Sequence, residues 1–80
     1  FMRIQLFDRG LPAGKKLFSD LDELCRRLQL DDPQYSRDMG QMYSRGLQGD
    51  TILLINNEVV LIDQYPSKYE LEAILSDYSK

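Results

Sequence analysis

Apolar residues alternate with others from Met2 to Phe7, placing Met2, Ile4 and Leu6 on one side and Arg3, Gln5 and Phe7 on the other. That period of two predicts a first strand. Asp8-Arg9-Gly10-Leu11-Pro12-Ala13-Gly14 then brings two glycines and a proline together, which predicts a loop. Beyond it Leu21, Leu24, Cys25 and Leu28 recur at i, i+3, i+4 and i+7, the stripe of an amphipathic helix. Ser19, three residues before Asp22, supplies a capping-box variant for its start. Leu28-Gln29-Leu30 fits either the end of this helix or a very short strand.

Asp32-Pro33 predicts the start of a second helix, since Asp caps well and Pro suits the first helical position. Tyr35, Met39, Met42 and Tyr43 would share its apolar face, and Gly46 or Gly49 would end it. Gly40, interior to that helix, would cost about 1 kcal/mol relative to Ala and so points to close packing. Ile52-Leu53-Leu54-Ile55 and Val59-Val60-Leu61-Ile62 are apolar throughout, the pattern of strands covered on both faces. Asn56-Asn57 between them suits a type I′ turn, because Asn tolerates positive φ. Pro66, with Ser67 and Glu70 in capping-box spacing, then starts a third helix striped by Leu71, Ile74, Leu75 and Tyr78. The predicted architecture is one α/β domain over residues 1–80, a central mixed sheet with helices on both faces.

Composition narrows the functions open to such a domain. With 42% hydrophobic and 29% charged residues the chain should fold rather than stay disordered. A net charge of −3 argues against nucleic acid as a partner. The charge is uneven: Arg3, Arg9, Lys15 and Lys16 face only Asp8 within the first sixteen residues, so one basic corner on an acidic body is expected. A single cysteine and no histidine exclude an intrachain disulfide and leave little metal chemistry, which fits a reducing, cytoplasmic setting and no cofactor. No apolar run reaches membrane-spanning length, so no membrane association is expected. Phe1, ahead of Met2, is set aside as a remnant of preparation.

The order strand, helix, optional short strand, helix, strand, strand, helix, with a Pro- and Gly-containing loop after the first strand, resembles the thioredoxin-like fold and particularly the glutaredoxins. Leu11-Pro12-Ala13-Gly14-Lys15-Lys16 stands where that family carries Cys-Pro-x-Cys and following basic residues. Tyr65-Pro66 followed by Glu70-Leu71 is also similar to the C-terminal end of the arsenical-resistance metallochaperones, which share the fold. The departures bear on activity. Leu11 and Gly14 replace the two redox cysteines, and without a thiolate there is no thiol–disulfide exchange. Asp50-Thr51-Ile52 lacks the family's proline before the third strand, and Asp63-Gln64-Tyr65 replaces its glutathione-holding Gly-Gly and acidic pair. The resemblance implies architecture, with Lys15 the one surviving contact of glutathione type.

The candidate contact surface is therefore Leu11, Pro12, Ala13, Gly14, Lys15 and Lys16, extended by Arg37 and Arg45 of the second helix. The expected role is a redox-inactive protein-binding or regulatory module without enzymatic activity. The alternatives are a glutathione- or small-anion-binding carrier or enzyme, and a structural homodimer. Gly10 to Lys16 is not a phosphate loop of the Walker type, being one residue short and ending in Lys16 where Ser or Thr would bind Mg²⁺. Cys25, on the apolar stripe, reads as buried. Asp20, Asp22, Glu23, Glu70 and Glu72 read as acids at helix starts, favoured by the helix dipole.

Overall fold

In the computed structural model, which describes Phe1 to Lys80, the elements follow in the order β1 (Ile4–Asp8), α1 (Pro12–Arg27), β2 (Gln34–Ser36), α2 (Gly40–Tyr43), β3 (Thr51–Ile55), β4 (Glu58–Ile62) and α3 (Lys68–Tyr78). They form a compact α/β domain with one four-stranded mixed sheet, ordered β2-β1-β3-β4. β1 runs parallel to β2 and antiparallel to β3, and β3 runs antiparallel to β4. A parallel pair needs a crossover, and α1 supplies it.

The two central strands feed both faces of the sheet. Ile4 and Leu6 of β1 and Leu53 and Ile55 of β3 join a twelve-residue buried cluster with Leu17, Leu21, Leu24 and Cys25 of α1 and Leu71 and Leu75 of α3. Their neighbours Phe7, Ile52 and Leu54 point the other way, into a five-residue cluster closed by Met39 and Met42. All five residues of β3 are buried, which is why its sequence is apolar without alternation.

Several local expectations hold. Asn56 and Asn57 both take positive φ, 51° and 68°, in the two-residue turn that pairs Ile55 with Glu58. Ser67 accepts from the Glu70 amide while the Glu70 carboxylate accepts from the Ser67 amide, a complete capping box. Gly46, at φ +79°, ends the α2 turn: its amide donates to the Tyr43 carbonyl, and Leu47 donates back to Met42.

Others are corrected. α1 begins at Pro12, so Pro12–Gly14 are helical rather than loop, and Ser19 lies mid-helix and caps nothing. Pro at the first helical position outweighed the glycine two residues on. Asp32-Pro33 opens no helix. The segment extends into β2, where pairing with β1 wins, and Tyr35 packs with Phe18 beside the larger cluster instead of sharing a helical face with Met39 and Met42. Gly40 is the first residue of the one-turn α2, not an interior position. Of the two readings of Leu28-Gln29-Leu30 the helix end holds and the strand does not: Leu28 closes α1 and Gln29 turns at φ +57°. β4 is not covered on both faces, because it is the sheet's edge; Val59 and Ile62 are exposed while Leu61 is buried. Val60 is an extra residue opposite the Leu53–Leu54 step, a bulge that turns Val60 and Leu61 toward the same side. Asp20, Asp22 and Glu23 sit within α1 rather than at its start, where they pair with Lys16, Arg26 and Lys68.

Candidate functional site

β1 delivers Asp8 to the end of the sheet, directly under the first turn of α1. Its carboxylate is fully buried and is met by three donors. Gly10 N–H donates to Oδ2 at 3.0 Å, the Tyr35 hydroxyl to Oδ2 at 2.6 Å and the Thr51 hydroxyl to Oδ1 at 2.7 Å. A buried carboxylate without such partners would cost several kcal/mol, and the three donors offset that desolvation. Thr51 gives its only hydroxyl proton to Asp8, so the Tyr65 hydroxyl, 2.7 Å away, donates to Thr51. The chain of bonds from Tyr65 through Thr51 to Asp8 ties together the start of β3, the segment after β4 and the turn before α1.

Gly14 is the residue that lets Asp8 fit. A Cβ there would stand 2.0 Å from Asp8 Oδ1, so any side chain would displace the carboxylate. Gly14 is consequently buried and forms the back of the site rather than its surface. Leu11, Pro12, Ala13, Lys15 and Lys16 are exposed around it, Leu11 at 37%. Ala13, Lys16, Leu17 and Asp20 line a cleft of about 190 Å³ with Tyr65, Pro66 and Ser67 across from them.

The charges near this end are largely spoken for. Lys16 pairs with Asp20 at 3.0 Å, and Arg9 pairs with Asp50 at 2.7 Å while donating to the Tyr43 hydroxyl and lying 5.7 Å from its ring centre. Lys15 is exposed and makes no ion pair. The basic corner is thus smaller than the sequence suggests, and Arg3 is not part of it: it lines a separate cleft beside Arg45 and Asn57.

Of the two arginines assigned to the second helix, only Arg37 reaches the site. It follows β2, donates to the Arg9 carbonyl at 2.9 Å and packs over Gly10. Arg45 instead donates to the side-chain and main-chain oxygens of Asn57, at the hairpin end of the sheet. The grouping of Arg45 with Leu11–Lys16 is corrected accordingly.

Cys25 is fully buried in α1. Desolvation, aided by the charges of Asp22 and Asp32, pushes its thiol up to about 11, so it is neither accessible nor ionised near neutral pH. No group of three or more His, Cys, Asp or Glu side chains is placed to hold a metal ion. No helix is long and apolar enough to cross a membrane.

Sequence reasoning missed Asp8, Thr51 and Tyr65. A lone Asp before Arg-Gly reads as a turn residue, and Thr51 as the polar start of a strand. The one available signal was Tyr65-Pro66, singled out for its resemblance but not for its hydroxyl. No family model matches the chain, and no curated protein matches it.

Proposed function

We propose that this chain is a thioredoxin-like module without redox chemistry that acts by binding another protein at the end of the sheet around the head of α1. The observation that carries the reading is the Tyr65–Thr51–Asp8 hydrogen-bond chain. It fixes three loops relative to one another before any partner arrives, and a pre-formed surface loses less conformational entropy on binding. On that fixed frame stand Leu11 and Tyr65, exposed at 37% and 41%, with Pro12, Ala13 and Lys15 beside them. Large side chains presented on rigid supports are what a protein interface uses as anchors.

The chemistry of the site favours a protein over a small anion. Asp8 already lies against the first turn of α1, so an anion brought to the same turn would meet a like charge. Lys16, the second cation of the turn, is engaged by Asp20. Thiol exchange has no nucleophile here, since Leu11 and Gly14 lack sulfur and Cys25 is sealed in the core.

The test is the double substitution Lys15→Glu with Lys16→Glu, compared with the unaltered protein as bait in pull-downs. Lys16 is exposed but its partner Asp20 is nearly buried and keeps only Lys68 at 3.9 Å, so the charge reversal should cost about 1–2 kcal/mol, and against a total near 4–12 kcal/mol the variant stays folded. It should lose recovery of the partner while keeping its circular dichroism and a cooperative thermal transition, lowered by several degrees. Equal recovery by both baits overturns the assignment of this surface.

A further inference from the structure

The edge of the sheet opposite β2 is open: β4 is paired on one side only. Where β4 ends lies a shallow groove of about 660 Å³, formed by Leu61 of β4, the connecting Gln64, Tyr65 and Pro66, and Glu70, Ala73 and Ile74 of α3. Its floor is mainly apolar, and its one charged lining residue is a carboxylate. Glu70, Ile74 and Asp77 follow one another at i, i+4 and i+7, so α3 presents acid, apolar and acid along one stripe. Glu58, opposite Ile55 in the ladder, shares the side of the sheet on which α3 packs and makes no ion pair. The hairpin residue Asn56 and the α3 residues Tyr78 and Ser79 line one cavity, which places Glu58 near the same end of the groove as Asp77. No Lys or Arg occurs anywhere from Gly46 to Ser67. The groove is thus mainly apolar, with Glu70 in its lining and, beyond Ile74, the unpaired Glu58 beside Asp77, which is itself paired with Lys80 at 3.5 Å.

We infer that this groove takes an extended segment of a partner protein that lies along the outer edge of β4 and carries a basic, an apolar and a second basic side chain at alternate positions. Charge complementarity selects that occupant. Side chains two apart on a strand share a face, so the outer two of three such residues stand about 13 Å apart. Seven residues of helix between Glu70 and Asp77 span about 10 Å, a comparable distance. The apolar residue between them would rest on Leu61 and Ile74. The intervening side chains would point to the other face, beside exposed Val59 and Ile62.

A second copy fits poorly. A two-fold pairing of β4 with itself sets the same acidic patch against its own image. The bulge at Val60 also twists the edge away from flat sheet-to-sheet continuation, while a short flexible segment can follow it. The two surfaces meet at Tyr65 and Pro66, but the inference does not depend on the cations at the head of α1, because Lys15 and Lys16 lie outside this groove.

The test uses ¹⁵N-labelled full-length protein titrated with acetyl-Lys-Val-Leu-Val-Lys-amide and, separately, with acetyl-Glu-Val-Leu-Val-Glu-amide. The basic peptide at millimolar concentration should shift amides of Val59–Gln64 and Glu70–Asp77, and the acidic one should not. Ala73→Arg, an exposed substitution on a helix, should leave the unbound spectrum folded and weaken the basic peptide at least tenfold. Absence of shifts in the groove, equal shifts with both peptides, or undiminished binding by Ala73→Arg overturns the inference. So does a dimer in sedimentation that Ala73→Arg dissolves, since the occupant would then be a second copy. Lys15→Glu with Lys16→Glu should not change the peptide titration, which keeps this result separate from the fate of the α1 surface.

Discussion

The two faces of the sheet are built from alternating residues of the same strands yet are closed in different ways. On one face α1, sixteen residues long, and α3, eleven, lie over a twelve-residue cluster. On the other a single turn of helix and the segment after it cover five buried residues. The first face is held by area: long amphipathic helices bury continuous stripes, and stability scales with the apolar surface removed from water. The second depends on local geometry, with Gly46 stopping the turn and Arg9, Asp50 and Tyr43 linking its loop to β1 and β3. Folding strength and contact surface are therefore separable in this molecule. The thick face stabilises, while the candidate surfaces lie at the end and the open edge of the sheet.

Neighbouring residues of β3 give the sharpest way to break that comparison. Leu53 and Leu54 are both buried, at 0% and 1%, on opposite faces. Leu53→Ala should cost roughly 3–5 kcal/mol, because the packed helices around it cannot collapse into the space. For a domain of this size that is a large part of a total near 4–12 kcal/mol. Leu54→Ala should cost less, about 2–3 kcal/mol, since the one-turn cover can relax. Urea unfolding midpoints decide the matter. Equal losses would mean that the thin face is as rigid as the thick one.

The next effect down concerns the seam at Asp8. Gly14→Ala drives a methyl into the carboxylate and should cost roughly 1–3 kcal/mol by overpacking. Gly46→Ala meets no atom within 4 Å but must hold φ near +79°, so its cost should be about 1–2 kcal/mol and purely conformational. Adding Asp8→Asn should not rescue either variant, because Asn fills the same space. Tyr35→Phe probes the same seam by pH. Desolvation, then the hydrogen bond to Asp8 and its charge, push the Tyr35 phenol up to about 12 from 10. The folded state therefore keeps a proton that the unfolded chain loses between pH 10 and 12. That contribution is complete below pH 10 and falls away as pH rises through the window. Stability of the unaltered protein should drop more steeply there than that of Tyr35→Phe, and parallel curves would remove Tyr35 from the network.

What the sequence disclosed follows the same division. Signals that act within a few residues were legible: the Asn56-Asn57 turn, the Ser67–Glu70 box, and the burial of Cys25 on a helical stripe. So was the α/β class, which needs only element types. The segment from Asp32 to Gly46 was misread because local propensity there competes with strand pairing, and β1 recruits Gln34–Ser36 over 29 residues of separation. β4 was misread because an apolar run reveals hydrophobicity but not its position in the sheet. The head of α1 was misplaced, since Pro12–Gly14 read as loop and Ser19 as the cap, and the foundation beneath it was not seen. Asp8, Thr51 and Tyr65 lie far apart in sequence, and no periodicity marks a hydrogen bond across 43 residues.

The smallest expected effect tests how the thick face anchors its second helix. α3 begins with a reciprocal cap, whereas α2 has no side-chain cap. Ser67→Ala removes the acceptor for the Glu70 amide and should cost about 1 kcal/mol. Glu70→Gln keeps a side-chain oxygen for the Ser67 amide and should cost less at neutral pH. Its signature lies in acid. Hydrogen bonds from the Ser67 amide, first, and the Ser67 side chain hold the Glu70 carboxyl below its ordinary value of 4.5. The folded state therefore releases that proton more readily than the unfolded chain. The resulting stabilisation is present above pH 4.5 and is lost as pH falls through the depressed value. Thermal midpoints measured from pH 6 down to pH 3 should show the unaltered protein losing an advantage that Glu70→Gln never has, so the two curves converge. Curves that stay apart at the lowest pH would show that the carboxylate's charge is not what secures α3, leaving its anchorage to Leu71 and Leu75 in the core.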